Sequence, residues 1–223
     1  FLASTDRRTD GDQITQEIRV NSQVSESIDL VYGLYFSEDS YFHSQNFRAQ
    51  FASPGFSQVT AQDQERSSQA IFAHSFIDLS DRLRLQLGGR YSKEETEMKV
   101  DVTHFISLDG VARYFGDDRL ADFGIDFTSQ GKDDWTDWSA KVGLDYQVSE
   151  NTLAYGHISR GFKSGGFVGR ITIPEDIGPY DPEIVETIEL GMKTDLMDNK
   201  LRLNVNIFKN DCPKIPRFHA CQI

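Results

Sequence analysis

The segment LRLNVNIF, residues 201–208, sets Leu201, Leu203, Val205 and Ile207 in alternation with Arg202, Asn204, Asn206 and Phe208. A period of two sends successive side chains to opposite faces of a strand, so one face is apolar and the other mostly polar. The same ladder recurs elsewhere. Leu83, Leu85 and Leu87 alternate with Arg84, Gln86 and Gly88, and Leu30, Tyr32, Leu34 and Phe36 form a third set. Leu153 and Tyr155 alternate with the small residues Ala154 and Gly156. Here the expectation is that Leu153 and Tyr155 take the apolar face and Gly156 the other. No stretch carries a 3.6-residue apolar stripe with caps at both ends. The chain therefore reads as all-β, with eight strands near 12–22, 27–41, 64–79, 82–101, 134–148, 152–161, 183–196 and 200–211.

The connections alternate in length. QVSE, SD, SEN and MDNK are tight, and their Asp, Asn and Ser residues suit turns. Between them lie long stretches, from Phe42 to Asp63, Val102 to Asp133 and Phe162 to Pro182. A soluble sandwich has no reason to alternate its connections in this way. A bacterial outer-membrane barrel does, with short turns on the periplasmic side and long loops outside. Several strands exceed the ~9–11 residues that cross a bilayer. RYSKEETEMKVDV, residues 90–102, alternates at first and ends heavily charged, as expected of a strand that rises past the membrane. Tyr32, Tyr35, Phe36, Tyr41 and Phe42 cluster near one strand end, and Trp135 and Trp138 near another, in the manner of aromatic girdles.

Composition removes several function classes. With 23 Lys plus Arg against 35 Asp plus Glu, the net charge is -12, which argues against a nucleic-acid partner. The 16 Phe and 8 Tyr are too many for a disordered acidic chain. Phe1-Leu2-Ala3 opens without the basic start and apolar core of a signal peptide. Cys212 and Cys221 are too few to define a disulfide framework or a metal site.

Chemistry-bearing motifs are weak. GHISRGFKSGGF, residues 156–167, spaces Gly156 and Gly161 as a phosphate loop would, but Phe162 stands where the lysine belongs. The following FVGRITIPEDIGPYDPE has no helical stripe to hold an anion. His43, His74, His104, His157 and His219 are scattered without ligand spacing. GDDRLADFGIDF, residues 116–127, lacks the ordered spacing of a calcium loop. Glu94, Glu95 and Glu97 read as a solvated strand extension rather than paired catalytic carboxylates. Nothing marks one serine as special for a Ser-His-Asp set, and no cofactor or metal site is expected.

Four segments carry a family resemblance. FAHSFIDLSDRLRLQLGGRYSKEE (72–95) resembles a recurring hairpin of TonB-dependent outer-membrane receptors. NTLAYGHISRGFKSGGF (151–167) is similar to a strand-and-loop of the same family, and YDPEIVETIELGMKTDLMDNKLRLNVNIFKND (180–211) to one of its hairpins. QEIRV (16–20) with DLVYGLYFSED (29–39) matches another, and the four occur in family order. The resemblance implies an antiparallel up-and-down meander of about eight long strands, forming an arc of a ~22-stranded transmembrane barrel. It implies a receptor in the outer membrane of a Gram-negative bacterium, in contact with its lipid. Such a receptor imports a scarce ligand, usually a ferric siderophore, with energy from the TonB complex passed through an N-terminal plug. No plug segment stands in this sequence.

The expected division is residues 1–211 as partial barrel and 212–223 as a tail outside it, since Pro213 and Pro216 each remove a ladder donor. A partial chain has unpaired first and last strands, and alone it is not expected to insert or transport. The alternative is a self-contained eight-stranded barrel, in the outer membrane or as a soluble ligand binder. In the receptor reading, Arg160 and Lys163 sit at the rim, where an anionic ferric chelate would meet positive charge. Arg113 and Arg119 lie in the longest loop, and Tyr114, Phe115 and Tyr180 are loop aromatics able to stack on a flat ligand. The plainer reading of each is ordinary loop packing or pairing with nearby carboxylates.

Overall fold

The computed structural model describes residues 3–49, 55–107, 127–171 and 173–212. Long strands β1 (Ala3–Ser25), β2 (Ile28–Ala49), β3 (Gly55–Ser80), β4 (Leu83–Ser107), β5 (Phe127–Ser149) and β6 (Thr152–Lys163) follow one another. The next connection carries two-residue strands β7 (Gly166–Phe167) and β8 (Pro179–Tyr180), with a 3-10 turn at Pro174–Ile177 between them. Strands β9 (Glu183–Leu196) and β10 (Leu201–Asp211) complete the regular structure of the described residues. The eight long strands form one antiparallel sheet in the order β1-β2-β3-β4-β5-β6-β9-β10. Sequence order equals spatial order, which is an up-and-down meander.

Three expectations change. Phe42 to Asp63, read as a long loop, is mostly strand, because β2 runs to Ala49 and β3 begins at Gly55. Its backbone groups are satisfied by continuing the ladder, with Asn46 opposite Val59 and Val59 opposite Thr103. The eight strands do not close on themselves: among the described residues β1 and β10 are the two edges of the sheet and do not pair. This removes the self-contained eight-stranded barrel. Cys212 is disulfide-bonded, so a cysteine that spacing left without a role has one.

The sheet has two unlike faces. Residues paired directly across strands share a face, so register fixes which side chains lie together. The row Leu34–Ile71–Tyr91–Trp138 and the row Leu87–Val142–Ile158–Ile188 belong to one face, called outward here. These side chains are exposed, Ile158 to 61%. On β4 the outward apolar run spans Leu83 to Tyr91, about nine residues, the number a tilted strand uses to cross a bilayer. The opposite, inward face carries Arg84, Gln86 and Arg90 over the same stretch. Apolar side chains left in contact with solvent over so large an area are stable only against lipid or a partner. No helix among the described residues is long and apolar enough to cross a membrane; the strands are built to do so.

The upper limit of the apolar band runs obliquely. The first charged outward side chain is Asp12 on β1 and Lys209 on β10. Followed through the register, Asp12 is level with Glu97 of β4 and Lys209 with Leu87. The limit thus falls by about ten residues over seven strand steps. At ~3.4 Å per residue and ~4.8 Å per strand, that slope is about 45°, at the steep end of the ~35–45° tilt of membrane barrels.

Register also corrects two face assignments. Gly156 is opposite Leu144 and Leu190, on the outward apolar face, and a Cβ there would lie 2.6 Å from Leu190 Cδ2. Leu153 and Tyr155 point inward, where the Tyr155 hydroxyl donates to Glu189 at 2.8 Å. β6 is apolar on both faces, so its own alternation does not decide the matter; its neighbours do. Of the aromatic clusters, Tyr32, Phe36, Phe42 and Trp138 are outward, whereas Tyr35, Tyr41 and Trp135 are inward.

Candidate functional site

The inward face divides into a polar lower wall and a roofed upper part. In the lower wall the polar side chains pair with one another. Gln86 donates to Asp145, Arg84 reaches both oxygens of Asp78 at 2.6 and 3.1 Å, and Asn206 joins Tyr155 on Glu189 at 3.1 Å. The Arg90 guanidinium lies 4.8 Å from the Tyr35 ring centroid. Hydrogen-bonded pairs of this kind suit a water-facing interior, which lipid-facing strand surfaces do not offer.

Higher up, the inward side chains of β4 become apolar. Met98, Val100 and Val102 are buried, with Ile171 and Ile177 packed on them. Ile171, 1% exposed, lies in the β6–β9 connection, so this connection folds over the inward face as a roof. Side-chain amides hold its backbone: Gln58 donates to the Ile171 carbonyl at 3.1 Å and Gln62 to the Gly169 carbonyl. Ser129 of β5 donates to the Pro174 carbonyl at 2.7 Å. Each bond satisfies a carbonyl that the irregular chain leaves unpaired.

Two glycines let the roof lie this close. A Cβ on Gly165 would fall 2.3 Å from the Tyr180 carbonyl oxygen and 2.5 Å from the Trp135 indole. A Cβ on Gly166 would fall 2.5 Å from the Tyr180 hydroxyl. Phe167 then meets the edge of Trp135, with ring centroids 6.1 Å apart. The glycine-rich stretch is needed for close packing of aromatic rings and backbone.

The sequence matches the family described as TonB dependent receptor-like, beta-barrel, over residues 1–212. The chain belongs to the TonB-dependent receptor-like β-barrel family. Its fold is shared with the ferric yersiniabactin uptake receptor of Yersinia pestis at a TM-score of 0.75 and 17% identity, covering 95% of this chain and 30% of that one. The alcaligin outer-membrane receptor of Bordetella pertussis matches at a TM-score of 0.56 and 15% identity, with the same coverage of 95% and 30%. The chain thus spans about a third of the length of these receptors. As a TonB-dependent receptor barrel, its outward face is the lipid face and its inward face the lumen.

In this receptor wall the proposed ligand residues fall in three places. Lys163 is the last residue of β6, exposed and on the lumen side, opposite Glu183 in register. Tyr180 is in β8, half-buried, with its carbonyl against Gly165 and its ring against Gly166. Lys163 and Tyr180 thus lie at the two ends of the same roof. Arg160 is elsewhere, between β5 and β6: it reaches both Asp137 oxygens at 2.7 and 3.1 Å, and its guanidinium is 4.2 Å from the Trp138 ring. Its hydrogen bonds hold the Asp137 carboxyl below the ordinary carboxylate range, with the Trp138 amide adding to the effect. Arg113, Tyr114, Phe115 and Arg119 lie outside the described residues.

Sequence reading missed the roof anchors Trp135, Phe167, Ile171 and Ile177, and the amides of Gln58 and Gln62. A signal existed for part of this. Met98, Val100 and Val102 alternate with Lys99 and Asp101, an apolar inward row inside a segment read as simply charged. Glu95 and Glu97 are outward and share Lys132 at 2.8 and 3.5 Å, as a solvated extension would.

Proposed function

We propose that the chain is wall and mouth of an outer-membrane receptor that binds a scarce ligand outside the cell, a ferric siderophore, and imports it with energy from the TonB complex. On this reading the protein is a transporter and catalyses no covalent step. Its partners are the ligand, the TonB complex reached through a plug domain, and outer-membrane lipid. The observation that carries the proposal is the roof, a loop drawn over the lumen face whose two ends carry Lys163 and Tyr180. A cation and an aromatic ring on one loop suit an anionic chelate with planar donor groups. Family membership supports the transport class, and both named structural relatives are receptors, one of them for ferric yersiniabactin uptake. Arg113, Arg119, Tyr114 and Phe115 are proposed as further contacts from the longest loop.

The test is uptake. A strain lacking the full-length gene is grown under iron limitation with a panel of radiolabelled ferric catecholates, hydroxamates and phenolates. Loss of uptake of one chelate, restored by the full-length gene, is the expected result. Unchanged uptake of every chelate, with loss of haem, cobalamin or oligosaccharide uptake instead, would move the receptor to another ligand class.

A further inference from the structure

Strands β5 and β6 separate partway up the wall. Their pairing ends at Ala140 and Arg160, whereas β5 stays paired with β4 as far as Phe127 and β6 with β9 as far as Lys163. Among the described residues, β5 above Ala140 therefore has an edge without a ladder partner on the β6 side. Such an edge presents open amides and carbonyls that attract other strands. At Trp138 and Asp134 some of them are taken up locally. Asp137 Oδ1 accepts the Trp138 N–H at 2.7 Å, and Asp133 Oδ1 accepts the Asp134 N–H at 2.9 Å. Arg160 donates to the Trp138 carbonyl and to both Asp137 oxygens, and its guanidinium lies over the Trp138 indole. The Arg160 and Asp137 side chains are only 17% and 14% exposed.

This cluster sits where β6 loses its β5 partner, three residues before the chain leaves the sheet to become the roof. Gly161 follows Arg160, with open space around the position of a Cβ, and four residues further on Gly165 is wedged against Trp135 and Tyr180. On the β9 side this stretch is held by the ladder through Lys163, and on the β5 side by the contacts of Arg160. A planar guanidinium is suited to that place: its fork spans a carboxylate while another N–H reaches a carbonyl, which a lysine ammonium does not match.

We propose that Arg160, Asp137 and Trp138 form a clasp that closes the split between β5 and β6 and fixes the point from which the roof turns inward. Arg160 is then a positioning residue acting through the roof, and the edge of β5 is blocked to added strands at Trp138. The clasp deepens the receptor reading but is measured without any ligand.

The experiment uses the full-length receptor in detergent and limited digestion with trypsin, which has exposed sites after Lys163 and Arg170. Arg160→Ala and Asp137→Asn are each expected to speed cleavage at these two sites roughly tenfold, through more frequent local opening. The double variant is expected to match the singles, because both remove one interaction. Arg160→Lys, which keeps the charge and disturbs folding least, is expected to restore only part of the protection. Heat-modifiable gel migration should be unchanged in all four. Wild-type cleavage rates in Arg160→Ala and Asp137→Asn, or full protection in Arg160→Lys, would overturn the clasp. Faster cleavage together with unaltered ferric-chelate uptake would uphold the clasp and count against roof contact with the ligand.

Discussion

Along β4 the two faces exchange character near Lys93. Below it, Leu83, Leu85, Leu87 and Tyr91 point outward while Arg84, Gln86 and Arg90 point inward. Above it, Lys93, Glu95, Glu97 and Lys99 point outward while Met98, Val100 and Val102 are buried inward under the roof. The backbone pattern is the same in both halves, so nothing in the sheet itself sets polarity. The surroundings do. Lipid outside and water inside select one arrangement, and water outside with a folded loop inside selects the reverse. One strand can therefore report where the membrane ends. The lower half is stabilised by an environment the chain does not supply, the upper half by a core it builds for itself.

The sharpest way to break this contrast is to exchange chemistry on one face of one strand. Leu87→Arg places a charge in the middle of the outward band, where such a change costs about 2–4 kcal/mol in a membrane barrel. The yield of heat-modifiable full-length receptor should fall more than tenfold. Lys99→Leu, on the same face of the same strand but above the boundary, should leave that yield unchanged. Equal effects at the two positions would mean that the boundary near Lys93 is misplaced.

The upper half should respond to packing instead. Ile171→Ala removes a fully buried side chain from the roof, a change that typically costs about 2–4 kcal/mol. The barrel should still assemble, but tryptic cleavage after Arg170 should rise steeply. Ile158→Ala, in the exposed outward band, deletes similar bulk where no core surrounds it, and should alter neither assembly nor cleavage. A roof that stays protected in Ile171→Ala would show that Gln58, Gln62 and the glycine packing suffice without the apolar anchor.

The glycine-rich stretch offers a smaller contrast within a few residues. Gly161→Ala meets open space, whereas Gly165→Ala meets the Tyr180 carbonyl and the Trp135 ring well inside contact distance. Overpacking of this sort costs about 1–3 kcal/mol. Hydrogen exchange across residues 164–182 should quicken in Gly165→Ala and stay as in wild type in Gly161→Ala. Parallel behaviour of the two variants would dissolve the link between these glycines and roof packing.

Much of this was legible in the sequence, for reasons that differ by region. The eight strands and their turns follow from period-two alternation, a local property. The outward face of β2, β4 and β10 follows too, because each has one apolar row. Parity already separates Trp135 from Trp138 and Tyr35 from Phe36, and it sets Arg160 on the same face as Ile158; distance along the chain hid what counting would have shown. Residues 42–63 were missed because neither face there carries an unbroken apolar row, and only pairing with neighbouring strands makes them strand. Ile171 and Ile177 were not legible as anchors, since no local pattern marks an apolar residue in a proline-containing loop as buried. Their burial depends on Met98, Val100 and Val102, roughly seventy residues away in the chain. The clasp required the register itself, because it exists only where two ladders stop at different heights.

The smallest effect concerns the boundary where the two halves meet. Arg160 holds the Asp137 carboxyl below its ordinary range, so the folded protein binds that proton less readily than the unfolded chain does. The contribution is therefore complete above the ordinary aspartate value of about 3.9 and is lost as pH falls toward and through the lowered value. The thermal midpoint of full-length receptor should exceed that of Arg160→Ala by a constant margin from pH 7 to about pH 5, then by a shrinking one in more acid solution. Other carboxylates titrate in both proteins and cancel in the difference. The slope belongs to the Asp137 carboxylate. A margin that persists undiminished at pH 2 would mean that Arg160 is held by the Trp138 carbonyl and ring without help from the carboxylate. The junction between the two halves would then be a stacking contact rather than an ion pair.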